Sequence, residues 1–230
     1  MRSLAAALFT LTCLAPLSAD DFFNGKDLKG WKGLTQHWSV DNGAIHGTTQ
    51  PKGINFNTFL CSEKEYTDFE LKLQVKLTPS GNSGVQIRSK IDEQSKFVVA
   101  GPQCDMGQQY WGSLYGERFG GMMQSSKAED VRKVVKVGEF NDYYILCKGK
   151  HVTIKINDVV MLDGDFPKMP DKGIIAFQAH GGGPMDVIFK NITFTDLTAP
   201  ASNSTIVYEH TKPPRRGLLQ RLFPSLRSRR

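Results

Sequence analysis

Three stretches of the chain carry two polar side chains two residues apart: Gln86 and Arg88, Gln103 and Asp105, and Gln178 and His180. In extended backbone the members of such a pair point to the same side. Gln86, Arg88, Gln103 and Gln178 can hydrogen-bond hydroxyl and carbonyl oxygens, while His180 and Asp105, with Glu117, can move protons or share a divalent cation. A polar atom buried without a partner costs about 1–3 kcal/mol, so a face this polar is expected to meet solvent or a ligand. Between the second and third pairs, Tyr110 to Gly121 holds Tyr110, Trp111, Tyr115 and Phe119 together with Glu117, Arg118 and four glycines. Trp111 and Tyr115 offer flat rings to a sugar face, and glycine lets backbone approach closely. Gly181-Gly182-Gly183-Pro184 adds a second permissive loop directly after His180.

Strands must position these residues. Phe69 to Leu77 alternates apolar and polar for nine residues, the period of a strand with one buried face. Val152 to Ile156 repeats the alternation, and Asn157-Asp158 leads into Val159 to Leu162, which reads as a hairpin. Further strands are expected around Trp38–Val40, Ala44–His46, Gly84–Ser89, Phe97–Met106, Tyr143–Lys148, Gly173–His180 and Asp186–Phe194. Helical signal is confined to Lys127–Val137, whose Val-rich second half suits a strand as well. Short strands punctuated by Gly, Pro, Asn and Asp predict an all-β fold of two packed antiparallel sheets. No repeat of fixed period points to a propeller or solenoid.

The ends differ from the body. Arg2, an apolar run from Leu4 to Leu17 and Ser18-Ala19-Asp20 have the parts of a secretory signal over residues 1–19, so a protein exported to the periplasm or beyond is expected. The folded domain is placed at 20–198, and 199–230 reads as a flexible basic tail able to make weak envelope or partner contacts. That tail holds seven basic residues and Glu209; setting it and Arg2 aside leaves 21 of the 29 basic and 22 of the 23 acidic residues. The formal charge of +6 therefore belongs to the tail, and nucleic acid is not an expected partner of the near-neutral domain. Beyond the signal the cysteines are Cys61, Cys104 and Cys147, an odd number without metal-like spacing, expected as buried small apolar side chains. No Ser-centred elbow, phosphate loop or structural zinc pattern is present.

Taken in order, Phe23 to Leu28 with Gly30-Trp31, Trp38 to Val40 leading to Gly43 to Ile45, Gly81 to Arg88, Gly101 to Asp105, Asn141 to Tyr143, Gly173 to His180 and Val187 to Ile192 resemble the 3-keto-disaccharide hydrolase family. The resemblance runs from Phe22 to Leu197 and implies a concanavalin A-like jelly roll acting on glycosides oxidised at C3. Where relatives carry Glu-x-Gln, this chain has Gly101-Pro102-Gln103. A ketone at C3 acidifies the C2 proton, so a base can remove it and the C1 substituent can leave, as in a hydrolase or lyase. The expected roles are His180 or Glu117 as base or acid, with Asp105 orienting His180 or helping to bind a metal. Gln86, Arg88, Gln103 and Gln178 would bond the sugar oxygens, and Trp111 and Tyr115 would stack on it. A hydrogen-bond donor or a divalent metal ion could hold the enolate, and the sequence fixes no cofactor. The alternative is a non-catalytic carbohydrate-binding module using the same face.

Overall fold

A computed structural model describes residues 22–198. The signal-like segment and the basic tail lie outside the described residues. Fourteen strands run in chain order: β1 Trp31–Lys32, β2 Trp38–Asp41, β3 Ala44–Thr48, β4 Thr58–Tyr66, β5 Phe69–Leu77, β6 Asn82–Glu93 and β7 Val98–Gly107, then β8 Leu114–Glu117, β9 Gly121–Gln124, β10 Asn141–Lys148, β11 His151–Ile156, β12 Val159–Asp165, β13 Gly173–Ala179 and β14 Asp186–Asp196. They form two seven-stranded sheets, β1-β4-β13-β6-β7-β8-β9 and β12-β11-β10-β5-β14-β3-β2. The pairings are antiparallel throughout, which gives the sandwich the sequence predicts. Within 127–137 the chain forms one short helix, α1 (Ala128–Val134), held to the body by buried Val131.

Strand β5 shows why the sheets stack. Phe69, Leu71, Leu73, Val75 and Leu77 are all buried, while Lys72 and Lys76 are exposed. Each such buried side chain contributes about 1.5–3 kcal/mol, enough to fix the register, because a slip of one residue would expose all five. From the other sheet Val85 and Ile87 of β6, Cys104 and Met106 of β7, and Ile175 and Phe177 of β13 meet them in one core. The β11–β12 hairpin turns at Asn157 and Asp158, both at positive φ, and pairs Ile156 with Val159. Cys61, Cys104 and Cys147 are buried free thiols, and burial pushes Cys61 up to about 12, which makes it a packing residue.

Inward Val85, Ile87, Cys104, Met106 and Phe177 force the residues between them onto the outer face of the first sheet. One half of that face is roofed. The β6–β7 hairpin folds back so that Phe97 O accepts from Phe59 N at 3.0 Å and Lys96 O accepts from the Thr58 hydroxyl at 2.7 Å. Under it Phe59, Cys61, Val99 and Ala176 make a small apolar cluster. The other half is open and polar.

Candidate functional site

The open half is a hollow of about 430 Å³ lined by Asn57, Asn82, Gln103, Asp105, Tyr110, Tyr115, Glu117, Met122, Gln178 and His180. Gln103 and Asp105 come from β7, Tyr115 and Glu117 from β8, Gln178 from β13, and His180 from the residue just past it. Gln103 pairs across the sheet with Gln86 on one side and Tyr115 on the other. Gly84, opposite Asp105, has no side chain, and a Cβ there would stand 2.6 Å from the Gln103 side chain. The glycine lets Gln103 lie flat and reach Asp105.

Asp105 is the chemically distinctive group. It is buried, and burial pushes its carboxyl up from 3.8 to about 6. Hydrogen bonds from Gln103 and from the Met106 amide pull the other way, and the charge of Glu117 adds to the rise. Gln103 Nε2 at 3.1 Å and Met106 N at 3.2 Å both donate to Oδ1, leaving Oδ2 without a partner in the described chain. A carboxyl near 6 is ionised yet basic enough to take a proton at neutral pH.

Around it stand groups with hydrogen-bonding capacity to spare. Gln178 Oε1 accepts from Gln103 Nε2 at 3.3 Å, but Gln178 Nε2 is buried with no partner, as is Asn82 Oδ1. Both residues line the hollow, and orphaned buried donors and acceptors are what a polar ligand would satisfy. Glu117 Oε1 accepts from Asn57 Nδ2 at 3.2 Å, and Asn57 Oδ1 accepts from the Gly181 amide at 2.8 Å. That link fixes the loop beside His180, whose ring makes no hydrogen bond to a described residue.

Six of the nine sequence-derived site residues therefore converge: His180, Glu117, Asp105, Gln103, Gln178 and Tyr115. Three do not reach the hollow. Gln86 is buried behind Gln103, donating to its Oε1 at 2.9 Å. Arg88 leaves the expected face because β6 is irregular between Gln86 and Lys90 and Arg88 sits at φ 46. Its guanidinium is sealed among the carbonyls of Thr67, Gly149 and Pro170 and the Asp68 carboxylate. Trp111 is buried in the main core beside Tyr143, with ring centroids 6.4 Å apart, and offers no sugar platform. Tyr110, 37% exposed, takes the outward position instead.

Two role expectations also change. Asp105 makes no hydrogen bond to His180 and so does not orient it. Among the described residues no three His, Cys, Asp or Glu side chains stand close enough to hold a metal ion, so the shared ligation expected of His180, Asp105 and Glu117 is not formed. Gly101, two residues before Gln103, has its backbone at φ 151, and a Cβ there would run into the Ser89 side chain.

The sequence reading missed Asn57, Asn82, Tyr110 and Met122. Asn82 keeps the two-residue period of Gln86 on β6, and Tyr110 opens the aromatic segment already singled out. Met122 arrives as the cross-strand neighbour of Tyr115 and Asn57 from a loop 60 residues before Glu117, neither with a local signal.

A family model described as a 3-keto-alpha-glucoside-1,2-lyase-like domain matches residues 18–195. Among solved structures, a candidate glycosyl hydrolase from Parabacteroides distasonis ATCC 8503 is 23% identical, with 76% of this chain and 92% of that chain covered at a TM-score of 0.58. A second from the same organism is 22% identical, covering 75% and 96% at a TM-score of 0.56. The carbohydrate binding module CBM66 from Bacillus subtilis is 14% identical, covering 72% and 95% at 0.54. At these identities the likeness is one of fold, and it matches the jelly-roll sandwich. No curated protein matches the sequence.

Proposed function

The chain belongs to the 3-keto-alpha-glucoside-1,2-lyase-like family, and from this premise we propose that the hollow takes a glycoside oxidised at C3 and removes its C1 substituent by elimination. One observation carries the reading: a carboxyl raised to about 6 and a buried amide N–H₂ without a partner face the same hollow, bridged by Gln103. These are the base and the oxyanion donor that an elimination beside a ketone requires.

In this scheme Asp105 Oδ2 takes the C2 proton, and the C–H electron pair moves through C2–C3 onto the ketone oxygen. Gln178 Nε2 donates to the enolate oxygen so formed. Collapse restores the ketone, creates the C1–C2 double bond and expels the C1 oxygen, which receives a proton from His180. Glu117, steadied by Asn57, accepts from a sugar hydroxyl, and the rings of Tyr110 and Tyr115 flank the sugar. Water added later across C1–C2 would make the net reaction a hydrolysis; without it the enzyme is a lyase.

The test is a panel of glycosides and their 3-keto forms, followed by absorbance of the conjugated enone and release of the aglycone. Turnover restricted to the keto forms is expected. Saturable binding of sugars with no turnover of any keto form would establish a binding module in its place.

A further inference from the structure

Behind Asp105 three glutamine amides stand in a row, and their directions are not independent. In one arrangement Gln86 Nε2 donates to Gln103 Oε1 at 2.9 Å, and Gln103 Nε2 donates to Asp105 Oδ1 at 3.1 Å and to Gln178 Oε1 at 3.3 Å. The Ser89 hydroxyl donates to Gln86 Oε1 at 2.7 Å, but that oxygen also faces the carbonyl oxygens of Gly101 and Pro102. Turning the Gln86 amide over lets its nitrogen donate to Gly101 O at 3.2 Å, Pro102 O at 3.1 Å and Ser89 Oγ at 2.7 Å. That end of the row favours the turned arrangement, because three acceptors then meet an N–H₂.

The turn propagates. Gln86 now presents its oxygen to Gln103 at 2.9 Å, so Gln103 must answer with its nitrogen and swing its oxygen toward Asp105 and Gln178. Two oxygens 3.1 Å apart form a hydrogen bond when one carries a proton, and here that one is Asp105. Gln178 turns as well, donating to Gln103 and presenting its own carbonyl to the hollow. Each protonation state of Asp105 thus has a matching direction for all three amides.

We propose that Gln86 is a positioning residue that acts through Gln103 to favour the protonated form of Asp105 in the protein without substrate, and that the same amide row turns Gln178 from acceptor to donor when Asp105 ionises, before substrate binds. With Asp105 ionised, Gln178 offers an N–H to the ketone oxygen and keeps it there while Oδ2 takes the C2 proton; without substrate, the proton of the neutral carboxyl sits on Oδ1 and meets Gln103 Oε1. Gln86 in this way sets the pH at which Asp105 becomes a free base, without touching substrate. Other groups act on Asp105 independently of the row. Glu117 from β8 adds like charge, and His180, Tyr110 and Tyr115 border the same hollow. Tyr143 donates to the Asp105 carbonyl at 3.0 Å from the second sheet, Cys104 is its buried chain neighbour, and β6 opposes it with Gly84.

The test is a carboxyl-carbon NMR titration of Asp105 in the full chain, alongside the side-chain amide signals of Gln86, Gln103 and Gln178. In the wild type all three amides are expected to shift with the Asp105 midpoint. In Gln86→Met, which keeps the volume and loses the amide, the midpoint is expected to fall by about one pH unit, a tenfold change in proton affinity. An unchanged or higher midpoint in the folded variant overturns the proposal. So do Gln86 amide signals that stay still through the wild-type titration, a measurement that needs no variant to fold. The role in catalysis rests on the elimination reading, since the acid limb of kcat/KM should move with the midpoint. If the titration behaves as expected and no keto-glycoside turns over, the elimination reading fails while the amide linkage stands.

Discussion

Strand β6 carries two buried polar residues two positions apart, and their surroundings could hardly differ more. Arg88 has its guanidinium met by Thr67 O at 2.6 Å, Gly149 O at 2.5 Å, Pro170 O at 3.0 Å and Asp68 Oδ1 at 2.7 Å, and Asp68 also accepts from the Gly149 amide. Those partners come from the β4–β5 turn, the β10–β11 turn and the approach to β13, so one side chain staples three connections. Gln86 instead starts a row that ends on an orphaned N–H₂ and a half-free carboxylate facing open space. Residue type does not separate these two clusters. Closure does: where every donor is answered inside the chain the cluster is structural, and where capacity is left over it awaits a ligand.

Substitutions that act on chemistry at one cluster and on stability at the other would sharpen this contrast. The largest effect is expected from Asp105→Asn, which should lower turnover of a 3-keto-glycoside by roughly 10³-fold, within the range of a lost general base. The same change should stabilise the fold. Holding the carboxyl at about 6 in place of 3.8 costs the ionised protein about 3 kcal/mol, a penalty absent below about pH 4 and complete above about pH 6. Thermal melting at pH 7 should therefore rise in the variant, and its advantage should vanish near pH 4.

Arg88→Met is expected to cost about 3–5 kcal/mol of stability, because it strips partners from a buried ion pair and three carbonyls. Urea denaturation measures the loss, and kcat/KM per folded molecule should stay within about twofold. A folded Arg88→Met protein that no longer turns over would break the distinction drawn here. Gln178→Leu should do the opposite, lowering kcat by roughly 10²-fold with little change in the urea midpoint, as for one lost oxyanion donor. The smallest effect should come from His151→Gln on β11. Its contacts with Asp163 and Asp165 are exposed pairs, and both stability and turnover should move by less than about 0.5 kcal/mol.

The sandwich was readable because its strands obey one rule. Alternation along Phe69–Leu77 survives into burial residue by residue, and the Asn157-Asp158 turn chemistry forces the hairpin where it was expected. The site was readable where the same rule holds, at Gln103 and Asp105 and at Gln178. It failed where backbone leaves the rule. Arg88 departs because of a single left-handed residue in a strand irregularity, which no local pattern announces. Trp111 follows the short 3₁₀ turn after β7 into the core, so an exposed platform and a core anchor look identical in sequence. Asn57 is beyond any local reading, since its place beside Glu117 depends on sheet pairings far apart along the chain.

The most direct measurement is exchange at C2. A 3-keto-glycoside incubated in D₂O with wild-type protein and with Asp105→Asn can be followed by proton NMR for loss of the C2 signal and growth of the enone. Loss of the C2 proton with wild type and its retention with Asp105→Asn is the expected result. Cleavage that leaves the C2 proton in place, or equal loss with both proteins, would contradict the assignment of Asp105 as the base and of the open hollow as the place where elimination begins.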